Sequence, residues 1–472
     1  MALKKDTGLN IKKLEERHYV EPRGVPDTLG AYVALSGIKD SLTLFHGTAG
    51  CGLNIRAMMV YETYDEREFS TTGMDEQMTI FGGEERLRAA IEKAAKGFSP
   101  AIIGVIGGTV ASLIGDDASG IVETERSRLA EDNISIVYAP TSYLKGDKMT
   151  GYNLILEALV DNVVEEPAQN MSRTVNIFGI MADMSNANAD ALEMKRLLGE
   201  LGIKVNEVFC CNSEIDRIKH AAEANLNIVV SEIRGVGAAQ KMEQRFGIPY
   251  RVVPYPIGMT NTKNFLQTAA DFFRINKKKV DELIARESET VYEAMRKAMF
   301  WAAEYRGCAL VGSMAAIVGE STAALGVTRY LIEEWGVKPL LLVLKTYNEE
   351  SLELLSEMQK ELGIKPQVLL NPSHDDIRQA FRETKPALIL GGNYEKADVR
   401  ETGLDRSAGT VFIHIATFPC GVDTAGRFDI YPHPFAGFQG VIYLTEVILN
   451  EMVRQSFEQV WAAFPATPST TS

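Results

Sequence analysis

The sequence predicts an α/β fold with several domains and mainly parallel sheets, and three observations support this. Strand-like apolar segments alternate with helix-like segments along the chain, a pattern typical of parallel sheets covered by helices. The chain has 472 residues, which at roughly 150 residues per domain suggests about three domains. Two later stretches also follow the same strand, loop, helix, strand plan.

The two similar stretches predict repeated Rossmann-like units. The first runs from the strand TVNIFGIMAD through a helix to KVNEVFCC, and the second from CALVGSMAAIVGES through a helix to KPLLLVLK. Each continues through a further helix into another apolar strand, LNIVVSE in the first and PALILGG in the second. We expect domain boundaries near Pro167 and Arg306, with a long basic helix linking the two units.

The N-terminal region predicts a further α/β unit. SLTLFH and PAIIGVIGG are typical of buried strands, and GGEERLRAAIEKAAKG between them is typical of a helix. The acidic first turn of that helix suits the positive end of the helix dipole. Near the end of the chain, GFQGVIYLTEVILNEMVRQSFEQVWAAF predicts a long helix, which we expect to pack back on this first unit.

Composition excludes several classes of protein. A net charge of −14 argues against a general nucleic-acid-binding surface. No apolar run reaches the length of about 18 residues that a membrane helix needs, and the N-terminus lacks the apolar core of a secretory signal. We therefore expect a cytoplasmic protein. Its five cysteines are scattered and include no CxxC, so neither a disulfide framework nor a cluster held by this chain alone is expected.

One cysteine stands in an unusual setting. The segment LFHGTAGCGLNIRAMM places Cys51 between Gly50 and Gly52, directly after a predicted strand. Glycines on both sides let the backbone approach a bulky group closely. From the residues alone three interpretations stay open: a buried small hydrophobe, a nucleophile with His46 as its base, or a thiolate directed at a neighbouring subunit.

The other motifs and cysteines give weaker evidence for a catalytic or binding site. GVIGGTVASLIGDD lies between a strand and a helix, but it lacks GxGxxG, and GxxxxGK[ST], HExxH and GxSxG are all missing from the chain. Cys210 and Cys211 end an apolar strand, so we expect core positions, and Cys308 is expected to be buried as well. Cys420 and His433 lie in a loop rich in glycine, proline and aromatic residues, where His433 is interpreted as a turn residue.

Three ordered segments, FHGTAGCG, STTGMDEQMTIFGGEERLRAAI and GVIGGTVASLIGDD, resemble the N-terminal domain of nitrogenase component 1 proteins. FGIPY, YPIGMTNTKNFLQTAADFF and HPFAGFQG extend the resemblance over nearly the whole chain, on the β-type side. The superfamily includes nitrogenase chains, cofactor-assembly scaffold chains and dark-operative protochlorophyllide reductase subunits. The resemblance implies three Rossmann-like domains. We place them at 1–166, with 437–472 packing back on it, at 167–305 and at 306–436.

The resemblance also implies a cofactor and partners. Members of this superfamily pair with a homologous chain, here an α-type chain, usually as an α2β2 heterotetramer. An iron–sulfur cluster at the subunit interface takes electrons from a separate ATP-dependent iron–sulfur reductase. Cys51 matches the first cluster cysteine of the β-type chain, with Gly50 and Gly52 lining the cluster. Phe69 and Thr109 stand where the second and third cysteines would fall. A [4Fe–4S] cluster with one ligand from this chain and three from the partner would suit this pattern better than an eight-iron cluster.

Three functions are therefore carried forward. The first is a β-type subunit of a nitrogenase-like reductase, in which the shared cluster relays electrons to a substrate site. The alternative is an N-type scaffold chain for assembly of the nitrogenase iron–molybdenum cofactor. The third is an α/β binding protein with a buried Cys51. In the first of these functions, Asp75, Glu76, Asp116 and Asp117 are expected to be structural or docking residues rather than catalytic ones.

Overall fold

The computed structural model describes residues 8–12, 14, 25–63, 68–169, 171–184, 186–304, 310–404, 410–415 and 433–462. These residues form three sheets in which every strand pairing is parallel. Helices connect the strands, so the α/β prediction is confirmed. No helix within the described ranges is both long enough and apolar enough to cross a bilayer.

The first sheet has four strands in the order β2-β1-β3-β4. The strands are β1 (Ser41–His46), β2 (Glu68–Thr71), β3 (Ile102–Gly107) and β4 (Ser135–Ala139). The accompanying helices are α1 (Asp27–Ser36), α2 (Ala49–Thr63), α3 (Glu76–Phe81), α4 (Glu84–Phe98), α5 (Thr109–Ile114), α6 (Ala118–Glu131) and α7 (Lys148–Asn162). Both central strands are buried along their whole length. The predicted strands and the predicted helix α4 are confirmed.

Helices α1 and α7 cross at two glycines. A methyl group on Gly30 would lie 1.8 Å from the carbonyl oxygen of Lys148, and one on Gly151 would lie 1.7 Å from that of Asp27. Neither helix can approach this closely with a larger residue at the crossing, because the atoms in the way belong to backbone.

We expect Gly151→Ala to force the two helices apart and to lower the free energy of unfolding by about 3 kcal/mol. Urea unfolding followed by circular dichroism measures this. The matched control is Gly199→Ala on another helix, where no atom lies within 4 Å of the added methyl group. That change is expected to be neutral or to stabilise by up to about 1 kcal/mol, because alanine favours helix. Equal effects of the two changes would contradict the packing argument.

The second and third sheets share one plan. The second has the order β6-β5-β7-β8, and the third has the order β11-β10-β9-β12-β13. The second contains β5 (Thr174–Phe178), β6 (Lys204–Val208), β7 (Leu226–Val229) and β8 (Tyr250–Val252), with α8 (Ala187–Glu200), α9 (Ile215–Lys219), a 3-10 helix (His220–Glu223), α10 (Val236–Phe246), α11 (Gly258–Phe272) and the linking helix α12 (Lys277–Glu304). The third contains β9 (Met314–Gly319), β10 (Lys338–Leu344), β11 (Gln367–Leu370), β12 (Leu388–Gly391) and β13 (Val411–His414), with α13 (Ser321–Glu333), α14 (Glu349–Leu362), α15 (His374–Thr384) and α16 (Asn393–Thr402). The last helix is α17 (Gly437–Ala462).

The repeat is therefore present, with strands that the repeated pattern did not include: β8 in the second unit, and β11 and β13 in the third. In each unit the first strand is central and the second lies on one side of it, while a later strand lies on the other side. The short strand β11 and the helix α15 lie between β10 and PALILGG, and the sequence pattern missed that pair. Four residues are too few to stand out by periodicity.

A buried carboxylate joins the second and third sheets at their carboxyl ends. Glu232, which follows β7, accepts hydrogen bonds from the hydroxyls of Ser321, Thr322 and Ser351, the last two at 2.8 and 3.0 Å. The Asn348 amide donates to the Glu232 carbonyl oxygen at 2.8 Å. Since Glu232 belongs to the second unit and its partners belong to the third, the network fixes how the two units face each other.

The two ends of the chain make contacts that the predicted division into domains did not include. The described part of α17 has its most extensive contacts with α8, α11, α12 and β13, which belong to the second and third units, whereas the sequence analysis expected this helix to pack on the first unit. Its buried residues Phe438, Val441 and Leu444 complete the apolar core of those units. At the other end, Ile11 forms a parallel bridge with Val368 of β11, so this segment lies on the third sheet rather than within the first unit.

Candidate functional site

Cys51 lies where parallel α/β sheets place their ligands. β1 and β3 are neighbours that lead to elements on opposite sides, and their carboxyl ends form one edge of the first sheet. The chain leaves β1 at His46 and enters α2 at Ala49, so Cys51 sits in the first turn of that helix. The thiol is free and exposed. The interpretation of Cys51 as a buried hydrophobe therefore does not apply to this chain.

The two flanking glycines differ in their surroundings. A methyl group on Gly52 would lie 3.2 to 3.4 Å from the side chains of Phe45, Thr71 and Phe69, so glycine lets α2 pack closely on β1 and β2. A methyl group on Gly50 would meet no described atom within 4 Å. Gly52 therefore lies on the side of α2 that packs against the sheet, whereas the described residues leave open space beside Gly50.

Thr109 lies at the same edge of the first sheet as Cys51, and Phe69 lies on the neighbouring strand β2. Phe69 is on β2, half-buried, and its ring centroid is 5.1 Å from that of Tyr32 in the core. Thr109 opens α5 after β3, and its hydroxyl donates to the carbonyl oxygen of Ser142 at 2.9 Å. Cys51 and Thr109 thus lie at the carboxyl end of the first sheet, and the ring of Phe69, from the second residue of β2, lies 3.4 Å from the position of a methyl group on Gly52. Of these three residues only Cys51 offers a thiol.

The loop 141–144 after β4 is the element that the sequence analysis missed. The buried carboxylate of Asp27 accepts from the backbone N–H groups of Ser142 and Tyr143 at 3.0 and 2.8 Å. Tyr143 has a φ of 63° and its side chain is hydrogen-bonded to that of Asn54, in the same helix turn as Cys51. No short sequence motif could have predicted these contacts, because Asp27 and Tyr143 are 116 residues apart in sequence.

His46 does not serve as a base for Cys51. Its Nδ1 lies 3.2 Å from the Thr72 hydroxyl, and its Nε2 lies 3.0 Å from a carboxylate oxygen of Asp116. Asp116 also accepts from the backbone N–H of Gly83. Both ring nitrogens are thus committed to partners in the interior, which argues against the nucleophile interpretation of Cys51.

The acidic residues near the site have structural positions. Asp75 caps α3 by accepting from the Met78 N–H at 3.0 Å, and Asp117 caps α6 by accepting from the Gly120 N–H at 2.8 Å. Side-chain oxygens at these positions satisfy N–H groups that a helix start leaves without partners. Glu76 is exposed in the first turn of α3.

Burial is the main cause that lowers the pKa of His46 from 6.5, against the opposing effect of Asp116. A lowered pKa in the folded protein means that the unfolded chain binds the proton more readily, so stability falls as pH drops through about 6.5. We expect His46→Gln to flatten this dependence between pH 7.5 and 5.5, by at most about 1.4 kcal/mol per pH unit. Urea unfolding at several pH values measures it, and His220→Gln at an exposed histidine is the control. An unchanged slope in His46→Gln would contradict the assignment.

Exposed apolar side chains are concentrated around Cys51. We call Leu53, Ile80, Phe81, Leu113, Ile114 and Leu144 the edge patch. They come from α2, α3, α5 and the loop 141–144, all at the carboxyl end of the first sheet. Phe81 is 85% exposed and Leu113 is 71% exposed. A concentration of exposed large apolar groups marks an interaction surface.

The other cysteines and His433 do not join this site. Cys210 and Cys211 are buried in the second unit as expected, and burial raises the pKa of Cys211 to about 12. Cys308 and Cys420 lie outside the described residues. His433 accepts a hydrogen bond from Asn186 through its carbonyl oxygen and its ring lies 4.9 Å from that of Tyr443. Among the described residues no three histidine, cysteine or acidic side chains converge in a way that holds a metal ion.

The chain is similar to proteins of one family along nearly its whole length. A sequence model described as nitrogenase component 1 type oxidoreductase matches residues 26–453. The nitrogenase molybdenum–iron protein beta chain of Methanococcus maripaludis is 23% identical, over 96% of this chain and 98% of that protein. The light-independent protochlorophyllide reductase of Staurastrum punctulatum has a subunit, designated B, that is 23% identical over 90% of this chain and 82% of that protein. The nitrogenase vanadium–iron protein beta chain of Trichormus variabilis is 24% identical, over 94% and 96%.

The fold agrees with a solved structure. The structure titled nitrogenase Cp1 at pH 6.5 superimposes with a TM-score of 0.81 at 20% identity, covering 96% of this chain and 98% of the other. The family match spans most of the chain, and the sequence relatives are nitrogenase beta chains and their protochlorophyllide reductase counterpart. The protein therefore belongs to the nitrogenase component 1 type oxidoreductases, as a β-type member.

Proposed function

We propose that this chain is the β-type subunit of a nitrogenase-like reductase and that Cys51 binds an iron–sulfur cluster shared with a homologous α-type chain. One observation carries the proposal: an exposed thiol stands at the carboxyl edge of the first sheet, where the surrounding helices and the loop 141–144 carry the exposed apolar side chains of the edge patch. A thiol in that position is open to a neighbour, and the edge patch gives the neighbour a surface to bind.

At this site the chain supplies one cysteine ligand for a cluster, fewer than the four that a cluster needs. Phe69 and Thr109 are not cysteines, so neither can offer a thiolate. In the structure Phe69 packs against the core, and the Thr109 hydroxyl donates to the loop 141–144. A [4Fe–4S] cluster takes four ligands, usually cysteine thiolates. One ligand from Cys51 and three from the α-type chain would complete the set, and this division makes the site depend on the heterodimer.

The chain's own residues would supply position and surroundings. The first turn of α2 directs the positive end of its dipole toward a negatively charged centre. Gly50 leaves the approach to the thiol open, and the edge patch would exclude water once a partner covers it. The cluster itself supplies one-electron transfer when it is bound.

The relatives suggest the wider assembly. The proteins to which this chain is similar are named as parts of nitrogenases and of a reductase, so we infer an α2β2 heterotetramer that receives electrons from an ATP-dependent iron–sulfur reductase. The same names do not favour the scaffold alternative. An exposed thiol suits a reducing compartment, so a cytoplasmic location stays part of this proposal.

Anaerobic co-expression with the α-type chain tests the proposal. We expect the two chains to copurify and to contain about four iron and four sulfide per pair, with an EPR signal on reduction. The control is this chain expressed alone, which is expected to hold no stable cluster. A stable two-chain complex without iron would overturn the proposal and favour a binding protein.

A further inference from the structure

The third sheet has a crevice at the carboxyl ends of its strands, next to β9. This strand is central, with β10 on one side and β12 on the other, so the strand order reverses beside it. Such a crevice is where open parallel sheets bind their ligands. α13 begins at Ser321, directly after β9, and its first turn carries the positive end of the helix dipole. The crevice therefore has surroundings that favour an anion.

Three hydroxyl groups of the third unit converge on one carboxylate in this crevice. Ser321 and Ser351 donate to Oε1 of Glu232, the latter at 3.0 Å, and Thr322 donates to Oε2 at 2.8 Å. The hydroxyl oxygens of Ser321 and Ser351 also lie 2.8 Å apart. All four side chains are buried. Both carboxylate oxygens are thus bound by donors of another unit, as the carboxylate of a small ligand is bound in a protein pocket.

Hydroxyl groups, and not a cation, stabilise this buried charge. In the part of the chain that the structure describes, no lysine, arginine or histidine forms an ion pair with Glu232. The guanidinium of Arg234, two residues further on, instead pairs with Glu320 at 3.0 Å. A buried carboxylate is costly unless hydrogen-bond donors replace its water. The third unit therefore supplies the donors that a bound carboxylate requires.

The backbone around Glu232 is held by contacts that do not involve its carboxylate. Asn348 of the third unit donates to the Glu232 carbonyl oxygen at 2.8 Å. Asn153 of α7 donates to the Ile233 carbonyl oxygen at 3.0 Å and accepts from the Gly235 N–H at 2.8 Å. Because these hydrogen bonds use the backbone, they remain available when the Glu232 side chain is shortened. The hydroxyl groups can then bind another anion.

We propose that the third unit contains a binding site for a small carboxylate and that Glu232 of the second unit is its resident occupant. The bound side chain joins the two units and keeps free anions out of the crevice. The inference goes beyond the proposed function, because it concerns a site between the second and third units and does not depend on a cluster at Cys51.

Acetate is the probe that tests this site, because Glu232→Ala deletes a CH2–COO⁻ group and acetate has the same heavy atoms. The full chain with this change is unfolded in urea near pH 7, in sodium acetate or in sodium chloride of equal ionic strength. With a dissociation constant of about 10 mM, about 0.1 M acetate raises the ratio of folded to unfolded chain roughly tenfold. The wild type and Glu232→Gln are the controls, and neither is expected to respond, because a side chain fills the site in both.

Thr322→Val adds a test of the donors. It removes one hydroxyl at nearly constant shape, so in the Glu232→Ala chain it is expected to weaken acetate binding about tenfold, since a hydrogen bond to a charged group is lost. Equal responses of Glu232→Ala to the two salts would overturn the inference, as would a response of the wild type as large as that of Glu232→Ala. Where Glu232→Ala does not fold in chloride, the fraction that refolds in acetate is measured instead, and no gain in acetate has the same meaning.

Discussion

Cys51→Ala is expected to remove or convert the iron–sulfur EPR signal of the anaerobic two-chain complex. The change deletes the exposed thiol that this chain offers at the first-sheet edge, where Phe69 and Thr109 provide no replacement. A cluster that loses one of four ligands is either lost or held by a substitute such as water, with a changed spectrum. Because the thiol is exposed, the substitution removes little packing, and the free energy of unfolding is expected to change by less than about 0.5 kcal/mol.

The result is read from iron analysis and EPR on the same preparation. Cys211→Ala is the matched control, because it removes a cysteine of the same size that is buried in the second unit. It is expected to lower stability slightly and to leave iron content and spectrum unchanged. An unaltered spectrum in Cys51→Ala would remove the basis for assigning this residue to the cluster.

Phe81→Glu is expected to weaken binding of the α-type chain about 100-fold or more. Phe81 is 85% exposed in the edge patch, so the isolated chain should tolerate the change. In the complex the new carboxylate would be buried without a partner, and an uncompensated buried charge costs about 3–5 kcal/mol. Since each 1.4 kcal/mol is tenfold in affinity, even the lower figure exceeds a 100-fold loss.

Copurification and titration of the two purified chains measure this loss. Phe98→Glu is the control, since Phe98 is also exposed, at 52%, but ends α4 on the approach to the amino end of β3. It lies at the opposite edge of the sheet from Cys51, and its replacement is expected to leave binding unchanged. Equal weakening by both changes would mean that the edge patch is not the interface.

The interpretation of His46 as a base for Cys51 shows that closeness in sequence does not by itself identify the partners of a side chain. His46 was a candidate base because it lies only five residues before Cys51 in the sequence. In the sheet, however, His46 ends a buried strand and its ring meets Thr72 and Asp116 from other segments. Alternation along a strand decides which face a side chain takes, and the segments that cover that face decide its partners.

The sequence by itself determined the α/β class, the repeated strand–helix–strand units and the single thiol between glycines. These follow from local patterns: apolar strands, helix periodicity and the small size of glycine act within a few residues. Only the tertiary structure decided that α17 packs on the second and third units and that Asp27 holds the loop 141–144 after β4. An apolar face must be buried and a carboxylate must find donors, but the order of the strands selects which distant segment meets them.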